Sequence, residues 1–199
     1  KLQLNREIRL VFGCDEERTM ADMHHYIGKA GEPEFAFTPD GRFPMSIGEK
    51  GALMWRLKGS YRGACKWFQG GVQCNVIPSS ARACILDTSL ETELQAYIAG
   101  HNYDISCMME GGELILESRG KAAHASMPHL GHSAVTDLLD VIAGVTGDSV
   151  LGNLYRCFAD PYGSGIGLKA EDESKGDFTL SLGVLNIEEG HLYGEVDGR

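Results

Sequence analysis

Asp15, Glu16 and Glu17 are three consecutive acids that follow the strand-forming run Glu7–Phe12 and the stop Gly13. A second apolar run, Phe35-Ala36-Phe37-Thr38, ends in Pro39-Asp40, twenty-three residues beyond Glu17. Adjacent carboxylates repel one another unless they are solvated or face a cation, so the triplet is either an acidic surface turn or one wall of a cation site. The second reading gains from Asp40, because ligands of open α/β sheets bind beyond the carboxyl ends of strands and both runs deliver acids there. The Gly41-Arg42-Phe43-Pro44 turn would hold Asp40 in place. Two later positions also carry chemistry. His124 lies in Arg119-Gly-Lys-Ala-Ala-His-Ala-Ser-Met-Pro128, which leaves a strand, turns through small residues and enters a helix. Asn75 lies in Gly70-Gly-Val-Gln-Cys-Asn-Val-Ile-Pro78. Taken alone, a loop histidine is a surface residue and an Asn before a strand is turn chemistry.

The elements that must position these residues alternate from Gly51 onward. Ala52–Leu57 and Ala81–Leu86 are strand-like. Thr88 with Glu91 has the spacing of a capping box, and Leu90, Leu94, Tyr97 and Ile98 form one apolar stripe that ends near Gly100. Ile105–Met109 and Leu114–Leu116 flank Gly111-Gly112, a hairpin signal. A helix is expected from about Ser133, with Val135, Leu138, Leu139, Ile142 and Val145 on one side. Leu151–Phe158 can form a further helix, Lys169–Asp177 reads as a solvated turn, and Phe178–Ile187 alternates as a strand. Strand, helix, two strands, helix is the order of a ferredoxin-like split βαβ unit. The expected fold class is therefore α+β, an antiparallel sheet with helices on one face.

Composition sets outer limits. The chain has 199 residues, 43% hydrophobic and 23% charged, enough for a sizeable core and for one large domain or one domain and part of another. A net charge of -10 without a basic face argues against a nucleic-acid partner. No apolar run approaches a membrane span, and no signal segment opens the chain. The six cysteines show no CxxC pair, so reduced thiols in a cytoplasmic protein are expected.

The pattern of strand, GxDEE, then PDxxFP and Gly48-Glu49-Lys50-Gly51 resembles the aminoacylase and dipeptidase family of two-zinc exopeptidases, in particular its bacterial PepV branch. The resemblance implies a zinc-dependent hydrolase of short peptides, with Glu16 as general base and Glu17 and Asp40 each ligating one of two zinc ions. GxxAHASxP is similar to the family's lid motif, which implies that His124 donates to the scissile carbonyl oxygen. By the same resemblance Asn75 and Arg199 bind the substrate, Arg199 through its free carboxylate. Asp197-Gly198-Arg199 departs from the family in having Gly where a strand-forming residue is usual. The family's HxD motif and its last zinc-ligating His are absent. The expectation is thus a fragment: residues 1–49 from the edge of an α/β catalytic domain, then residues 50–199 as a ferredoxin-like lid, incomplete at its C-terminus and enlarged as in the PepV branch. Such a fragment should be inactive by itself and bind zinc weakly. The expected partner of the whole enzyme is a small peptide, with oligomeric state left open. Two other functions stay open: hydrolysis of N-acyl amino acids, and a lid-derived binding or dimerising module.

Overall fold

The computed structural model describes residues 5–16, 19–39 and 48–199. The chain divides into two compact units, Lys1–Ile47 and Gly48–Arg199.

In the first unit the described secondary structure is one helix, α1 (Ala21–Ala30). Its start is organised by acids from outside and inside: the Asp15 side chain accepts from Ala21 N–H at 3.2 Å, and Asp22 accepts from the backbone of Cys14 and Asp15. The Cys14 amide holds the Asp22 carboxyl below its ordinary value. The two runs expected as strands, Glu7–Phe12 and Phe35–Thr38, are irregular. Among the described residues the unit offers them no ladder to join, and a strand without a partner leaves its backbone polar groups to water. Their side chains are accordingly open, with Leu10, Phe12, Phe35 and Phe37 about four-fifths exposed or more.

The second unit contains β1 (Leu53–Ser60), β2 (Cys65–Gly70), β3 (Ser80–Ile85), α2 (Glu91–Ala99), β4 (Ile105–Glu110), β5 (Glu113–Arg119), α3 (Ala134–Thr146) and α4 (Ser149–Phe158). A two-residue pair, β6 (Glu171–Asp172) and β7 (Gly176–Asp177), precedes β8 (Leu180–Glu188) and β9 (His191–Gly198). Seven strands form one sheet in the order β1-β9-β8-β2-β3-β5-β4, with every neighbouring pair antiparallel. The fold class is α+β, as the periodicity implies. The β3-α2-β4-β5-α3 succession appears in the expected order. Its fourth sheet position, beside β3, is taken by the preceding strand β2 rather than by a strand following α3.

Local chemistry explains the element ends. Gly111 and Gly112 turn the β4–β5 hairpin at φ 59 and 85, angles that favour glycine. The capping box expected at Thr88 and Glu91 does not form. Thr88–Leu90 is a single 3-10 turn, and Asp87 caps it by accepting from Ser89 N–H at 3.0 Å. Ser133 caps α3 by accepting from Thr136 N–H. Asp148 caps α4 through the amides of Val150 and Leu151, while its other oxygen accepts from Ala64 N–H at 2.9 Å and from the Tyr61 hydroxyl. One carboxylate thus ties the helix layer to the β1–β2 connection.

The helices lie side by side, α3 between α2 and α4, and cover one face of the sheet. Val135, Leu138, Leu139, Val141 and Ile142 of α3 meet Phe68, Leu116, Leu185 and Ile187 from the strands, all buried. Burial of a Leu or Ile side chain contributes about 1.5–3 kcal/mol, so this layer contact is what holds the unit together.

Candidate functional site

Strand register gathers three of the sequence-selected residues at one end of the sheet. Gly70 pairs with Ala81 and Leu185, Ser80 with Arg119, and Leu180 with Gly198. The loop carrying Asn75 (71–79), the loop carrying His124 (120–133) and Arg199 therefore all leave the sheet on the same side.

Asn75 and His124, forty-nine positions apart, are joined through the backbone. Val76 and His124 form an antiparallel bridge, Ala125 N–H donates to Asn75 C=O at 2.8 Å, and Ile77 N–H donates to Ala123 C=O at 2.9 Å. Both side chains are half-buried. At its base the His124 loop is closed by a second bridge, in which Lys121 and His132 exchange hydrogen bonds of 2.8 and 2.9 Å. His132 is exposed and also pairs with Asp137 on α3 at 2.7 Å. Burial raises the Asp137 carboxyl above its ordinary value, and the facing imidazole works against that rise.

The imidazole of His124 meets Ser126 twice. Nδ1 lies 2.7 Å from Ser126 Oγ, and Ser126 N–H donates to the same nitrogen at 3.2 Å. Nε2 is bonded to no described residue. Asn75 likewise makes no side-chain hydrogen bond among the described residues.

Arg199 is held from within. The Asp197 carboxylate, fully buried, accepts from Arg199 Nε at 2.9 Å and from Nη2 at 3.3 Å, while Arg199 keeps about a quarter of its side-chain exposure. Backbone bonds with Thr179 in both directions fix the residue at the end of β9. With the Nε edge occupied, a further carboxylate can reach the guanidinium only along its Nη1–Nη2 edge. Asp197 stands in the sequence only as part of the Asp197-Gly198-Arg199 segment, with no sign of this role, since alternation along a strand does not reveal which acid will be buried against its neighbour but one.

Two glycines let the Asn75 loop lie on the sheet. A Cβ on Gly183, at the bulge between Leu182 and Val184, would sit 2.1 Å from Cys74 C=O, and one on Gly71 (φ 71) would sit 1.9 Å from Gly183 C=O. The loop thereby reaches the charges of β9: burial pushes the Cys74 thiol up to about 11, with Asp197 and Glu195 raising it and Arg199 lowering it. Asn75 is the next residue.

In the first unit, Glu16 is exposed in a turn and Asp15 is engaged at the α1 start, so neither stands at a strand end. Glu17 and Asp40 lie outside the described residues. Among the described residues, no group of three or more His, Cys, Asp or Glu side chains is gathered where a metal ion could sit. The donors that a zinc pair needs are therefore not assembled from the described residues alone. All six cysteines are free thiols, as the spacing implies. Among the described residues no helix is long and apolar enough to cross a membrane.

No family model matches the chain. By sequence it is similar to "Putative dipeptidase YtjP" of Bacillus subtilis, 27% identical over 204 residues, covering 95% of this chain and 44% of that protein. Proteins carrying the same description in Staphylococcus saprophyticus (24% identical, 92% of this chain, 43% of that protein) and Staphylococcus haemolyticus (26%, 94% and 44%) are similar along the same span. The chain thus covers less than half the length of these curated relatives, and nearly all of its own length is similar to proteins that bear the name "Putative dipeptidase".

Proposed function

We propose that the protein to which this chain belongs is a zinc-dependent dipeptidase of the PepV branch, and that the second unit supplies its substrate-binding lid. The observation that carries this reading is the backbone bridge between Val76 and His124, beside which Asn75 C=O accepts from Ala125 N–H. It brings the chain at Asn75 and the chain at His124 together at the sheet end that also carries Arg199, and each of these two residues is half-buried with side-chain hydrogen-bonding capacity left over. A short peptide offers the matching groups: a carbonyl oxygen that gains negative charge during hydrolysis, a backbone amide, and a free carboxylate. In this reading His124 donates to the carbonyl oxygen, Asn75 hydrogen-bonds the peptide, and the Nη1–Nη2 edge of Arg199 takes the carboxylate. Glu17 and Asp40 would ligate the two zinc ions, which supply Lewis-acid chemistry when bound, and Glu16 would accept the proton of the attacking water. A seven-stranded sheet, larger than one four-stranded ferredoxin-like unit, supports the PepV branch.

The test is hydrolysis by the complete protein of a dipeptide panel and a set of N-acyl amino acids. Dipeptide cleavage that a zinc chelator abolishes and added zinc restores is the expected result. Preferential cleavage of N-acyl amino acids would place the protein with the amidohydrolases instead. Turnover of neither would favour the binding-module reading.

A further inference from the structure

We propose that Ser126 is a positioning residue that fixes His124 as the Nε2–H tautomer, so that the imidazole can act toward a ligand only as a hydrogen-bond donor. An amide N–H can only donate, and Ser126 N–H points at Nδ1 from 3.2 Å. Nδ1 must therefore present its lone pair, and the Ser126 hydroxyl, 2.7 Å away, donates to it as well. A neutral imidazole has one N–H, which these two donors assign to Nε2. With the opposite tautomer the hydroxyl would accept a proton from Nδ1, the amide would face an N–H, and Nε2 would become an acceptor.

The arrangement is held by the fold on both sides of the ring. Ala125, between His124 and Ser126, is fully buried and its N–H is spent on Asn75 C=O. Met127 N–H closes a turn onto His124 C=O at 2.8 Å, and the buried Pro128 follows. With the backbone pinned at Ala125 and Met127, the Ser126 amide and hydroxyl have little freedom to turn away from the ring. Removing the hydroxyl would leave the longer amide contact alone, and the ring could then flip about its Cβ–Cγ bond. A flipped or tautomerised ring withdraws the Nε2 donor.

The tautomer stands on this chain's own geometry, whereas its use on a carbonyl oxygen rests on the dipeptidase reading, and the experiment separates the two. Long-range proton–nitrogen NMR of the histidine-labelled 199-residue chain, at a pH where imidazole is neutral, should show His124 with Nδ1 bare and Nε2 protonated. A proton on Nδ1 would overturn the proposal. In Ser126→Ala the two nitrogen signals should move toward averaged positions with the remaining spectrum intact, and Ser126→Thr should restore them; an unchanged His124 spectrum in Ser126→Ala would refute a positioning role. In the complete protein, Ser126→Ala should lower kcat about tenfold with little change in KM or melting temperature, the loss of one oriented hydrogen bond, and Ser126→Thr should recover it. Unaltered kcat would count against the proposal. Absence of peptide hydrolysis by the wild-type complete protein would overturn the dipeptidase reading, and the NMR result would then decide the tautomer by itself.

Discussion

His124 makes its side-chain hydrogen bonds to Ser126, so its loss should be felt in chemistry before it is felt in stability. In the complete protein His124→Ala should lower kcat a hundred- to a thousandfold, the range for removing an oxyanion donor, with small change in KM. Melting temperature should stay within a degree or two of wild type, because the backbone bridge to Val76 does not need the ring. Full retained activity would return His124 to the class of surface histidines. Titration offers a second check at this scale. Asp160 is held below its ordinary carboxyl value by the Ser164 hydroxyl and by the amides of Ser164 and Tyr162. A folded-state value below the unfolded one contributes stability that is present above about 3.8 and lost as pH falls through the folded value. Asp160→Asn should therefore lower the urea midpoint at pH 7 and make progressively less difference towards pH 2. A gap between the two proteins that widens in acid would contradict this sign.

The loop of residues 71–79 is where an element sets the geometry of the site. It lies so close to β8 that Gly183 has no room for a side chain, and the atoms it would strike are backbone, which cannot swing aside. Gly183→Ala should cost on the order of 1–3 kcal/mol, as overpacking does, and should shift the loop and Asn75 with it. In kinetic terms KM should rise more than kcat falls, since the role proposed for Asn75 is in binding. A melting temperature equal to wild type would show that the loop relaxes freely and that the glycine serves no close approach. The same sheet end explains Arg199: Thr179 anchors its backbone and Asp197 its guanidinium, so its exposed edge is oriented before any ligand arrives. Rigid presentation of this kind reduces the entropy lost on binding.

The two units differ in how they bury apolar surface. Gly48–Arg199 contains a continuous buried cluster running from Phe68 through Leu138 to Val196, whereas α1 buries no residue and Ile8, Leu10, Phe12, Phe35 and Phe37 stay open. Stability follows burial, and segments with few buried contacts open first. Limited proteolysis should accordingly cleave at sites within residues 5–39 well before any site within the second unit. Residues 48–199 expressed alone should keep the melting temperature of the full chain to within a few degrees. Early cleavage inside β3, α2 or α3, or an unfolded product on truncation, would show that the second unit depends on the first.

What the sequence by itself determined is whatever rests on local physics. Period-3.6 stripes mark α2 and α3, Gly111-Gly112 marks the β4–β5 turn, and Ser133 marks the start of α3, because each signal acts within a few residues of itself. Resemblance of the GxxAHASxP segment and of the Gly70–Pro78 segment singled out His124 and Asn75, yet neither segment contains the other's partner. Their meeting depends on β3 standing between β2 and β5, a non-local choice of neighbours that no periodicity encodes. Non-local choices also decided the misses. Glu7–Phe12 and Phe35–Thr38 have strand composition, but a strand exists only where a partner supplies the ladder. Asp87 rather than Thr88 caps the turn before α2, since the chain tightens there into a single 3-10 turn. Asp197 and Gly183 looked ordinary in the chain and became particular only when β8, β9 and the 71–79 loop were packed together. Side-chain type is written residue by residue, but burial, tautomer and the free edge of a guanidinium are properties of neighbours, and neighbours are chosen by the tertiary fold.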